Sequence, residues 1–314
     1  MKAFGFQWHI TDRCNLRCTH CYQDSYAPLP VENLANLNKL ADRILSALPD
    51  RKISINLTGG EPLLVPYLFD LIAHLQGFDN LEEIHLITNG TVAAKEVLDE
   101  IRRFEKIRYL KVSLESGIHE ANDAIRGSGN LAKVSDNILR YQKVTQKPVI
   151  FMVTLGRYNL DTIEETIRYA GFLGVDGIIF ERFVPLGHGR KLEDQVLSAD
   201  EWAQAAGSIA VAARASLDPH DLLSYRAFWL WLDPKRTERL EGARCNLGDE
   251  SMALMPDGTV YPCRRLPVAV GNALSEPFSE ILPRLDQYRT DADAGCRALD
   301  RALDRHPTGR DTGV

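Results

Sequence analysis

The first residues of the chain alternate between apolar and polar side chains, with the period of a β-strand. The apolar side chains occupy every second position, at Phe4, Phe6, Trp8 and Ile10. Because successive side chains of a strand point to opposite faces, this spacing predicts a strand with one buried face. From residue 31 the apolar spacing becomes helical, and it predicts a helix that ends near residue 48.

The same change between strand and helix periods repeats along the first 185 residues. Five more strands are predicted, at Ile53–Leu57, Glu83–Thr88, Tyr109–Leu114, Val149–Leu155 and Gly177–Val184. Helices are predicted between them, at residues 65–76, 93–104 and 131–145, and from a cap at Asn159 to Gly174. Six strand–helix units in succession predict parallel strands joined by right-handed helical crossovers. This pattern is typical both of a partial barrel and of a doubly wound sheet.

The rest of the chain has a weaker periodicity. Residues 186–197 combine glycine with charged residues, which predicts a loop. The tetrapeptide Ser-Ala-Asp-Glu at 198–201 has the pattern of a capping box, and we expect it to begin a helix that runs to about Ala215. Residues 218–244 are mixed and hold an aromatic cluster. The turn Pro-Asp-Gly at 256–258, between two short apolar runs, predicts a β-hairpin.

Composition and charge narrow the class of protein. The chain has 314 residues, of which 45% are hydrophobic and 25% are charged, as is usual for a globular protein. The net charge is −6 without a run of Lys or Arg, so the sequence does not predict a nucleic-acid-binding protein. No apolar run is long enough for a membrane span, and the N-terminus lacks the layout of a signal peptide. We therefore expect a cytoplasmic protein.

Six cysteines fall into two groups of three, separated by more than two hundred residues. In a cytoplasmic chain, such groups favour metal sites over disulfides. Cys14, Cys18 and Cys21 directly follow the first predicted strand. Three thiolates can bind three irons of a [4Fe–4S] cube and leave the fourth iron open. A structural zinc site would need a fourth ligand, for which His20 is a candidate, and free thiols are a third interpretation.

Two motifs together resemble the radical S-adenosylmethionine (SAM) superfamily. The first is the early cysteine motif followed by Tyr22, and the second is Thr-Gly-Gly-Glu-Pro at 58–62, at the end of the second predicted strand. The resemblance implies an α/β fold, a partial (β/α)6 TIM-like barrel. It also implies that Cys14, Cys18 and Cys21 bind a [4Fe–4S] cluster whose open iron chelates the amino and carboxylate groups of SAM. An electron from the cluster then cleaves SAM to a 5′-deoxyadenosyl radical, which abstracts a hydrogen atom from the substrate.

The resemblance carries further SAM contacts over to this sequence. It places Tyr22 near the adenine, and it implies that a side chain or nearby carbonyls at 59–62 accept from the ammonium group of SAM. The residues expected there are Gly59, Gly60, Glu61 and Pro62. Ser113 and Glu115 match the ribose-binding position, although this chain has Glu-Ser-Gly where the family often has Asp-Gly.

Three more positions near the ends of the predicted strands are candidates for SAM contacts. Arg126 could bind the carboxylate of SAM, or it could form an ion pair with Asp123 at a helix end. Asn89 and Thr154 close two strands and should lie at the level of the cofactor, where parallel barrels gather their chemistry. His188 is expected to be a loop histidine, and no catalytic side chain is predicted.

The late cysteines resemble the SPASM and Twitch extensions of radical SAM enzymes. Cys245 precedes a Gly-x4-Cys motif that ends at Cys263, and Cys296 follows. The resemblance implies one auxiliary cluster of the [4Fe–4S] type, in a small extension made of a β-hairpin plus a helix. Three cysteines are too few for the second cluster of full SPASM members. Substrate, solvent, Asp249 or Asp257 could supply the fourth ligand, and ordinary buried thiols are the alternative.

The motifs divide the chain into four parts. We expect the radical SAM barrel at residues 1–190, a linker helix region at 191–240, the auxiliary cluster domain at 241–305 and a flexible tail at 306–314. The aromatic cluster of the linker region could line the substrate space. Its members are Tyr225, Phe228, Trp229 and Trp231.

Three functions are compatible with these motifs. The run 113–129 resembles that of peptide- and protein-modifying enzymes, which favours an oxidoreductase-type peptide maturase that forms a cross-link or an oxidised residue. A small-molecule dehydrogenase or epimerase, acting on a sugar, aminoglycoside or cofactor precursor, is the alternative, because no peptide-recognition segment precedes the first strand. With all six cysteines assigned as ligands, no thiol is left as a hydrogen donor, so we rank a redox change above epimerisation. A non-enzymatic iron–sulfur carrier would leave residues 58–62 unexplained. The expected electron donor is a reducing protein such as flavodoxin or ferredoxin.

Overall fold

Six parallel strands form the first part of the fold. The computed structural model describes residues 2–215, 221–233, 239–248 and 250–289. The strands are β1 (Lys2–His9), β2 (Arg51–Thr58), β3 (Leu81–Thr88), β4 (Ile107–Ser113), β5 (Val149–Leu155) and β6 (Gly177–Arg182). Their order in the sheet is their order in the sequence. A doubly wound sheet would reverse its strand order at a switch point, so the sequential order confirms the partial (β/α)6 TIM-like barrel.

Helices pack against the strands, and all but the last of them lie in connections between strands. They are α1 (Leu34–Leu45), α2 (Leu68–Leu75), α3 (Lys95–Arg103), α4 (His119–Arg126), α5 (Asn130–Thr145), α6 (Ile163–Leu173), α7 (Ala199–Ala213) and α8 (Phe278–Asp286). The capping box at the start of α7 is confirmed, because Ser198 and Glu201 each accept a hydrogen bond from the backbone N–H of the other. Gly174 ends α6 in the left-handed conformation, as predicted.

The segment after β6 and the side chain of Asn159 differ from the sequence predictions. Residues 187–195 form a kinked 3-10 helix where we expected a loop. Asn159 lies at the N-terminus of a 3-10 turn, Leu160–Thr162, but its side chain does not cap it. Its amide donates instead to the carbonyl oxygens of Glu115 and Thr154, so it links the ends of β4 and β5.

The C-terminal residues extend the barrel sheet at both edges. On one side, β7 (Tyr225–Trp231) pairs antiparallel with β6, and β8 (Leu240–Arg244) pairs with β7. On the other side, β9 (Ser251–Leu254) pairs parallel with β1 and forms the predicted hairpin with β10 (Thr259–Tyr261), which pairs with β11 (Gly271–Asn272). The described strands thus form one eleven-stranded sheet. The predicted hairpin and helix are both present, and residues 218–244 contribute two strands that the sequence pattern did not indicate.

The two faces of the barrel sheet differ in polarity. Phe4, Phe6 and Trp8 are buried in the main hydrophobic core, together with the apolar faces of the helices. Polar side chains recur at every second position of the central strands, at Ser54, Asn56, Glu83, His85 and Lys111, and these line a cavity. A closed TIM barrel fills this space with branched apolar side chains, whereas here it is open to water and ligand.

Candidate active site

The loop that carries the early cysteines lies directly after β1 and is held by backbone hydrogen bonds from two other strand ends. At the end of β2, Gly60 N–H donates to the Thr11 carbonyl oxygen and Glu61 N–H donates to the Arg13 carbonyl oxygen, both at 2.8 Å. A Cβ at Gly60 would lie 2.1 Å from the Arg13 carbonyl oxygen. Only glycine permits this approach, so the Gly-Gly motif is required by the packing of the cysteine loop itself.

The residues after β6 hold the other side of the loop. Gly189 N–H donates to the Cys21 carbonyl oxygen at 2.9 Å, and His188 N–H donates to the Gln23 carbonyl oxygen at 3.1 Å. Gly187 has a φ of +56°, and a Cβ there would lie 2.4 Å from the same Gln23 oxygen. The His188 ring is exposed and contacts Tyr26. The conformation of the cysteine loop therefore depends on glycines that follow β2 and β6.

Hydrogen-bond donors surround two of the three early thiols. The Leu16 N–H lies 3.4 Å from Cys14 Sγ, the Asn89 amide nitrogen lies 3.7 Å from the same sulfur, and Arg126 Nη1 lies 3.9 Å from Cys18 Sγ. Burial raises the pKa of the Cys18 thiol to about 11, although Arg126 opposes this. A buried thiol of this kind becomes a thiolate when it binds a metal, and donors at the sulfurs then stabilise the ligand.

The site satisfies the demands of an iron–sulfur cube better than those of a single ion. Among the described residues, no three His, Cys, Asp or Glu side chains converge closely enough to hold one metal ion. A cube makes a different demand, because each thiolate binds a different iron. His20 Nε2 lies 2.9 Å from Glu115 Oε1, and among the described residues His20 belongs to no group of side chains that could hold one ion.

The carboxyl group of Glu61 accepts hydrogen bonds from other groups of the protein. Its Oε1 accepts from Leu63 N–H and from Thr88 Oγ1, and its Oε2 accepts from Asn89 N–H at 2.6 Å. The carboxyl is completely buried, and this burial raises its pKa to about 7. Glu61 therefore ties the end of β2 to the end of β3. Because these protein groups already occupy the Glu61 carboxyl, the geometry favours the nearby backbone carbonyls over the Glu61 side chain as acceptors for the ammonium of SAM.

A charged network lies on the opposite side of the same loop. Glu115 Oε1 accepts from His20 and from Arg126, whose Nη2 lies at 2.5 Å, and Oε2 accepts from Thr154 N–H at 2.9 Å. Burial disfavours the carboxylate, but His20, Arg126 and these hydrogen bonds outweigh it and lower the pKa of Glu115 to about 2. The proposed ion pair between Arg126 and Asp123 is wrong. Asp123 instead accepts from the N–H groups of Gly129 and Leu131.

A cavity opens between the early cysteines and the ends of the strands, and we call it the upper cavity. Its wall includes all three early cysteines and seven of the ten residues predicted to contact SAM: Tyr22, Gly59, Gly60, Asn89, Ser113, Arg126 and Thr154. Glu61, Pro62 and Glu115 are not part of this wall; the first and third support it from behind through the hydrogen bonds described above. Seven of the ten candidates thus lie on the wall of the upper cavity, and three do not.

A wider cavity, of about 420 Å³, occupies the barrel interior, and we call it the lower cavity. Cys245 and Cys263 are both on its wall, and Arg265 N–H lies 3.4 Å from Cys263 Sγ. Cys296 and Asp249 lie outside the described residues. Asp257 accepts from Thr259 N–H in the hairpin turn and is not on the wall of either cavity, which does not favour it as a cluster ligand.

The two cavities are adjacent. They share six wall residues: Gln7, Ile87, Met152, Glu181, Arg264 and Arg265. Trp229 and Trp231 line the lower cavity, as proposed for the aromatic cluster, whereas Phe228 stacks on Trp202 in the core, with ring centroids 4.9 Å apart. A ligand in the lower cavity would therefore face both groups of cysteines.

The charged side chains of the lower cavity were not predicted. Glu181 lies 3.1 Å from Arg265 and 3.5 Å from Arg226. Burial alone would raise the pKa of Glu181, but these arginines outweigh burial and leave the pKa below its ordinary value. Lys111 Nζ donates to Asn56 Oδ1 at 2.7 Å. The signal for these residues was present in the sequence, as polar side chains at every second position of strands that are otherwise apolar. Such strands predict a polar barrel interior.

Comparison with known proteins identifies the family. The model of the radical SAM superfamily matches residues 8–170, more than half of the chain. The chain belongs to the radical SAM superfamily. A second model, the SPASM iron–sulfur cluster-binding domain, matches residues 245–300. The superfamily implies a [4Fe–4S] cluster and SAM as cofactors, and the SPASM domain implies an auxiliary iron–sulfur cluster, as the cysteine motifs predicted.

Curated relatives of this radical SAM protein have different activities. The chain is 26% identical over 301 residues to an AdoMet-dependent heme synthase of Methanosarcina barkeri, covering 90% of this chain and 82% of the relative. It is 32% identical over 186 residues to a GTP 3′,8-cyclase of Syntrophomonas wolfei, covering 57% of this chain and only 54% of that relative. The chain thus spans about half the length of that second relative.

Solved structures share the fold over nearly the whole chain. Native anSMEcpe with bound AdoMet has a TM-score of 0.69 at 17% identity, covering 91% of this chain and 82% of its own. Streptococcus suis SuiB bound to precursor peptide SuiA has a TM-score of 0.67 at 12% identity, covering 95% and 72%. At these identities the likeness shows the fold alone. In the part of the chain that the structure describes, no helix is both long and apolar enough to cross a membrane.

Proposed function

We propose that this radical SAM enzyme modifies a ribosomally made peptide or a protein, by hydrogen abstraction that leads to a cross-link or an oxidised residue. The observation that carries the proposal is the shared wall of the two cavities, with the early cysteines on one cavity and two late cysteines on the other. A substrate held between them can lose a hydrogen atom at one end and an electron at the other. Such a reaction changes the redox state of the substrate.

In this proposal, Cys14, Cys18 and Cys21 hold the [4Fe–4S] cluster, and the wall of the upper cavity binds SAM. When bound, the cluster and SAM supply the 5′-deoxyadenosyl radical that abstracts the hydrogen atom. Arg126 is positioned for an anionic group, because it reaches the wall while Glu115 fixes its guanidinium from behind. Ser113 offers a hydroxyl, and Asn89 is fixed by its hydrogen bonds to Asn15 and Thr91.

The late cysteines would hold the auxiliary cluster beside the substrate. Cys245 and Cys263 are on the cavity wall, and Cys296 is the proposed third ligand. Arg264 and Arg265 follow Cys263 directly and are on the walls of both cavities. Their charges would oppose the negative charge of a thiolate-bound cluster. The protein thereby contributes position, charge and exclusion of water, while the cofactors supply the radical chemistry.

An extended substrate fits the outer side of the lower cavity. Trp229 and Trp231 lie on its wall, and the same two rings border a second depression lined by Glu241, Gly242 and Ala243. A peptide could continue from the interior across these rings, since tryptophan provides a large contact area at low entropic cost. Structural neighbours of this chain include a peptide-bound anSMEcpe and SuiB with its precursor peptide.

A small-molecule substrate is the second candidate, and one observation favours it. The heme synthase relative is similar over 90% of this chain, whereas the neighbours with bound peptides share only the fold. A dehydrogenation of a small molecule would use the same cavities and the same two clusters.

The test is an anaerobic reaction of the reconstituted enzyme with SAM and dithionite, analysed by mass spectrometry. One arm contains peptides encoded by neighbouring genes, and the other contains small molecules such as porphyrins and nucleotides. We expect 5′-deoxyadenosine together with a peptide that has lost two hydrogen atoms. Conversion in the small-molecule arm alone would favour the second candidate. Absence of 5′-deoxyadenosine in every arm, from protein with full iron content, would contradict the proposal.

A further inference from the structure

Lys111 is a buried cation that lacks an anionic partner. It lies on β4, is only 5% exposed and is on the wall of the lower cavity. Its Nζ donates to Asn56 Oδ1 and lies 5.0 Å from the centroid of the Trp229 ring. Among the residues that the structure describes, no carboxylate lies within salt-bridge distance of it. Burial of an ammonium group is costly unless an anion compensates it, so this lysine is short of a partner.

The nearest carboxylates of the lower cavity have closer neighbours than Lys111. Glu181 contacts two arginines, Arg226 and Arg265, and Glu83 lies 3.3 Å from the His85 ring. Both arginines approach the same carboxylate oxygen, Glu181 Oε1. Among the described residues, the close neighbours of Lys111 Nζ are therefore an amide oxygen and an aromatic ring, and neither carries a charge.

The ionisation of Lys111 is consistent with a missing anion. Burial lowers the pKa of Lys111 to about 8, although Glu181 and Glu83 act in the opposite direction. Arg226 faces the group from β7 and lowers the pKa further, while Asn56 on β2 is neutral. An anion that binds next to Nζ would raise the pKa again, because an opposite charge at close range favours the ammonium form.

We propose that Lys111 binds a carboxylate group of the substrate in the lower cavity. This inference rests on the proposed function only in taking the lower cavity as the substrate site. Two arginines of the cavity wall, Arg226 and Arg265, already contact Glu181, and a third, Arg264, lies against Tyr22. A singly charged carboxylate therefore matches the single ammonium of Lys111 better than a phosphate, which pairs of planar donors bind through two hydrogen bonds. The substrate would be anchored at the barrel interior, with its reacting carbon directed towards the early cysteines.

Matched pairs of probes test the binding of a carboxylate without turnover. The reconstituted enzyme with SAM but no reductant is titrated with glutarate and with its diamide. A second titration compares acetyl-Gly-Glu-Gly-amide with acetyl-Gly-Gln-Gly-amide. Calorimetry and the fluorescence of the neighbouring tryptophans report binding. We expect the carboxylate of at least one pair to bind about tenfold more tightly than its amide, as hydrogen bonds to charged groups usually allow. The responding pair shows whether the carboxylate belongs to a small molecule or to a peptide side chain.

Two lysine variants make the test specific. In Lys111→Met, which keeps most of the side-chain volume, the preference for the carboxylate should disappear. The matched control Lys133→Met, on an exposed position of α5, should keep it. If Lys111→Met does not fold, the pKa of Lys111 is measured by NMR of the wild-type protein with 15N-labelled lysine. A rise on addition of the probe supports the proposal.

Three results would overturn the inference. The first is equal binding of carboxylate and amide by the wild type in both pairs, and the second is an undiminished preference in Lys111→Met. The third is an unchanged pKa of Lys111 in the presence of bound probe. None of these outcomes depends on SAM cleavage. The inference can therefore fail while hydrogen abstraction by the enzyme stands, and the reverse also holds.

Discussion

The guanidinium group of Arg264 lies over the ring of Tyr22, with its central carbon 4.5 Å from the ring centroid. Its Nη2 also donates a hydrogen bond to the Tyr22 carbonyl oxygen at 3.0 Å. Tyr22 directly follows Cys21, and Arg264 directly follows Cys263. This contact therefore joins the loop of the early cysteines to the loop of the late ones, and it fixes the position of each relative to the other.

Removing the Arg264 side chain should weaken SAM binding. Arg264→Met keeps an apolar stem but loses the contact with Tyr22, and a cation–π contact together with a hydrogen bond contributes about 1–3 kcal/mol. We expect the Kd of SAM to rise about tenfold, measured by the change of the cluster's EPR signal on SAM addition. The control Arg190→Met removes an exposed ion pair with Asp24 and should leave the Kd within about twofold. Equal affinities in wild type and Arg264→Met would show that the contact does not support the SAM site.

Gly60 should tolerate no side chain. In Gly60→Ala the new methyl group would lie 2.1 Å from the Arg13 carbonyl oxygen, so the cysteine loop must move away from β2. We expect loss of most of the iron bound at Cys14, Cys18 and Cys21, measured after anaerobic reconstitution. Gly171→Ala is the matched control, because nothing lies within 4 Å of its new methyl group on the outer face of α6. That variant should keep its iron and gain about 0.5–1 kcal/mol of stability. Normal iron content in Gly60→Ala would contradict this role.

Glu61 and Glu115 should give the stability of the metal-free protein opposite dependences on pH. The pKa of Glu61 is raised from 4.5 to about 7, so the folded state binds an extra proton between these values. Its contribution is complete below about pH 4.5 and is lost as the pH rises to about 7. The pKa of Glu115 is lowered from 4.5 to about 2, so its contribution is complete above pH 4.5 and is lost as the pH falls towards 2.

Urea unfolding at a series of pH values measures both effects. Glu61→Gln should flatten the decline in the free energy of unfolding between pH 4.5 and 7, and Glu115→Gln should flatten the decline below pH 4.5. The size of each slope is at most about 1.4 kcal/mol for each pH unit and each proton. A decline between pH 4.5 and 7 that persists in Glu61→Gln would assign it to another group.

The parts of the fold that could be predicted are those in which local sequence determines structure. The strand predicted at Val149–Leu155 has the bounds of β5, and the capping box at Ser198 begins α7. The strands β7 and β8 could not be predicted in the same way, because β7 pairs with β6, which is distant in the sequence, and β8 pairs in turn with β7. The aromatic residues of β7 gave a signal for burial but not for a partner.

The same distinction between local and tertiary determinants applies to the candidate site. The cysteine motifs identify the ligands because spacing along the chain is sufficient for that purpose. The orientation of Glu61 could not be predicted, since it depends on hydrogen bonds from β3 that only the assembled barrel provides. Lys111 is an intermediate case. Its position in an apolar strand was visible, but its lack of an anionic partner is a property of the tertiary structure.

The last prediction separates SAM cleavage from substrate turnover. Cys14→Ala, Cys18→Ala and Cys21→Ala should each abolish the formation of 5′-deoxyadenosine, because two thiolates do not maintain a cube with a competent open iron. Cys245 and Cys263 are not on the wall of the upper cavity, where SAM is proposed to bind. Cys245→Ala or Cys263→Ala should therefore leave uncoupled formation of 5′-deoxyadenosine largely intact, while product formation falls at least a hundredfold. Liquid chromatography of both products from the same reaction gives the ratio.

Iron content and the incorporation of solvent deuterium distinguish a cysteine that binds the cluster from one that donates a hydrogen atom. If Cys245 or Cys263 binds the auxiliary cluster, its loss lowers the iron content by about one cluster, and no solvent hydrogen enters the product. An epimerase would instead need a free thiol to return a hydrogen atom to the substrate radical. In D2O that thiol would deliver deuterium to a product that is otherwise unchanged in mass. Full iron content in Cys245→Ala, combined with loss of deuterium from such a product, would therefore make Cys245 a donor and would reverse the ranking of oxidation above epimerisation.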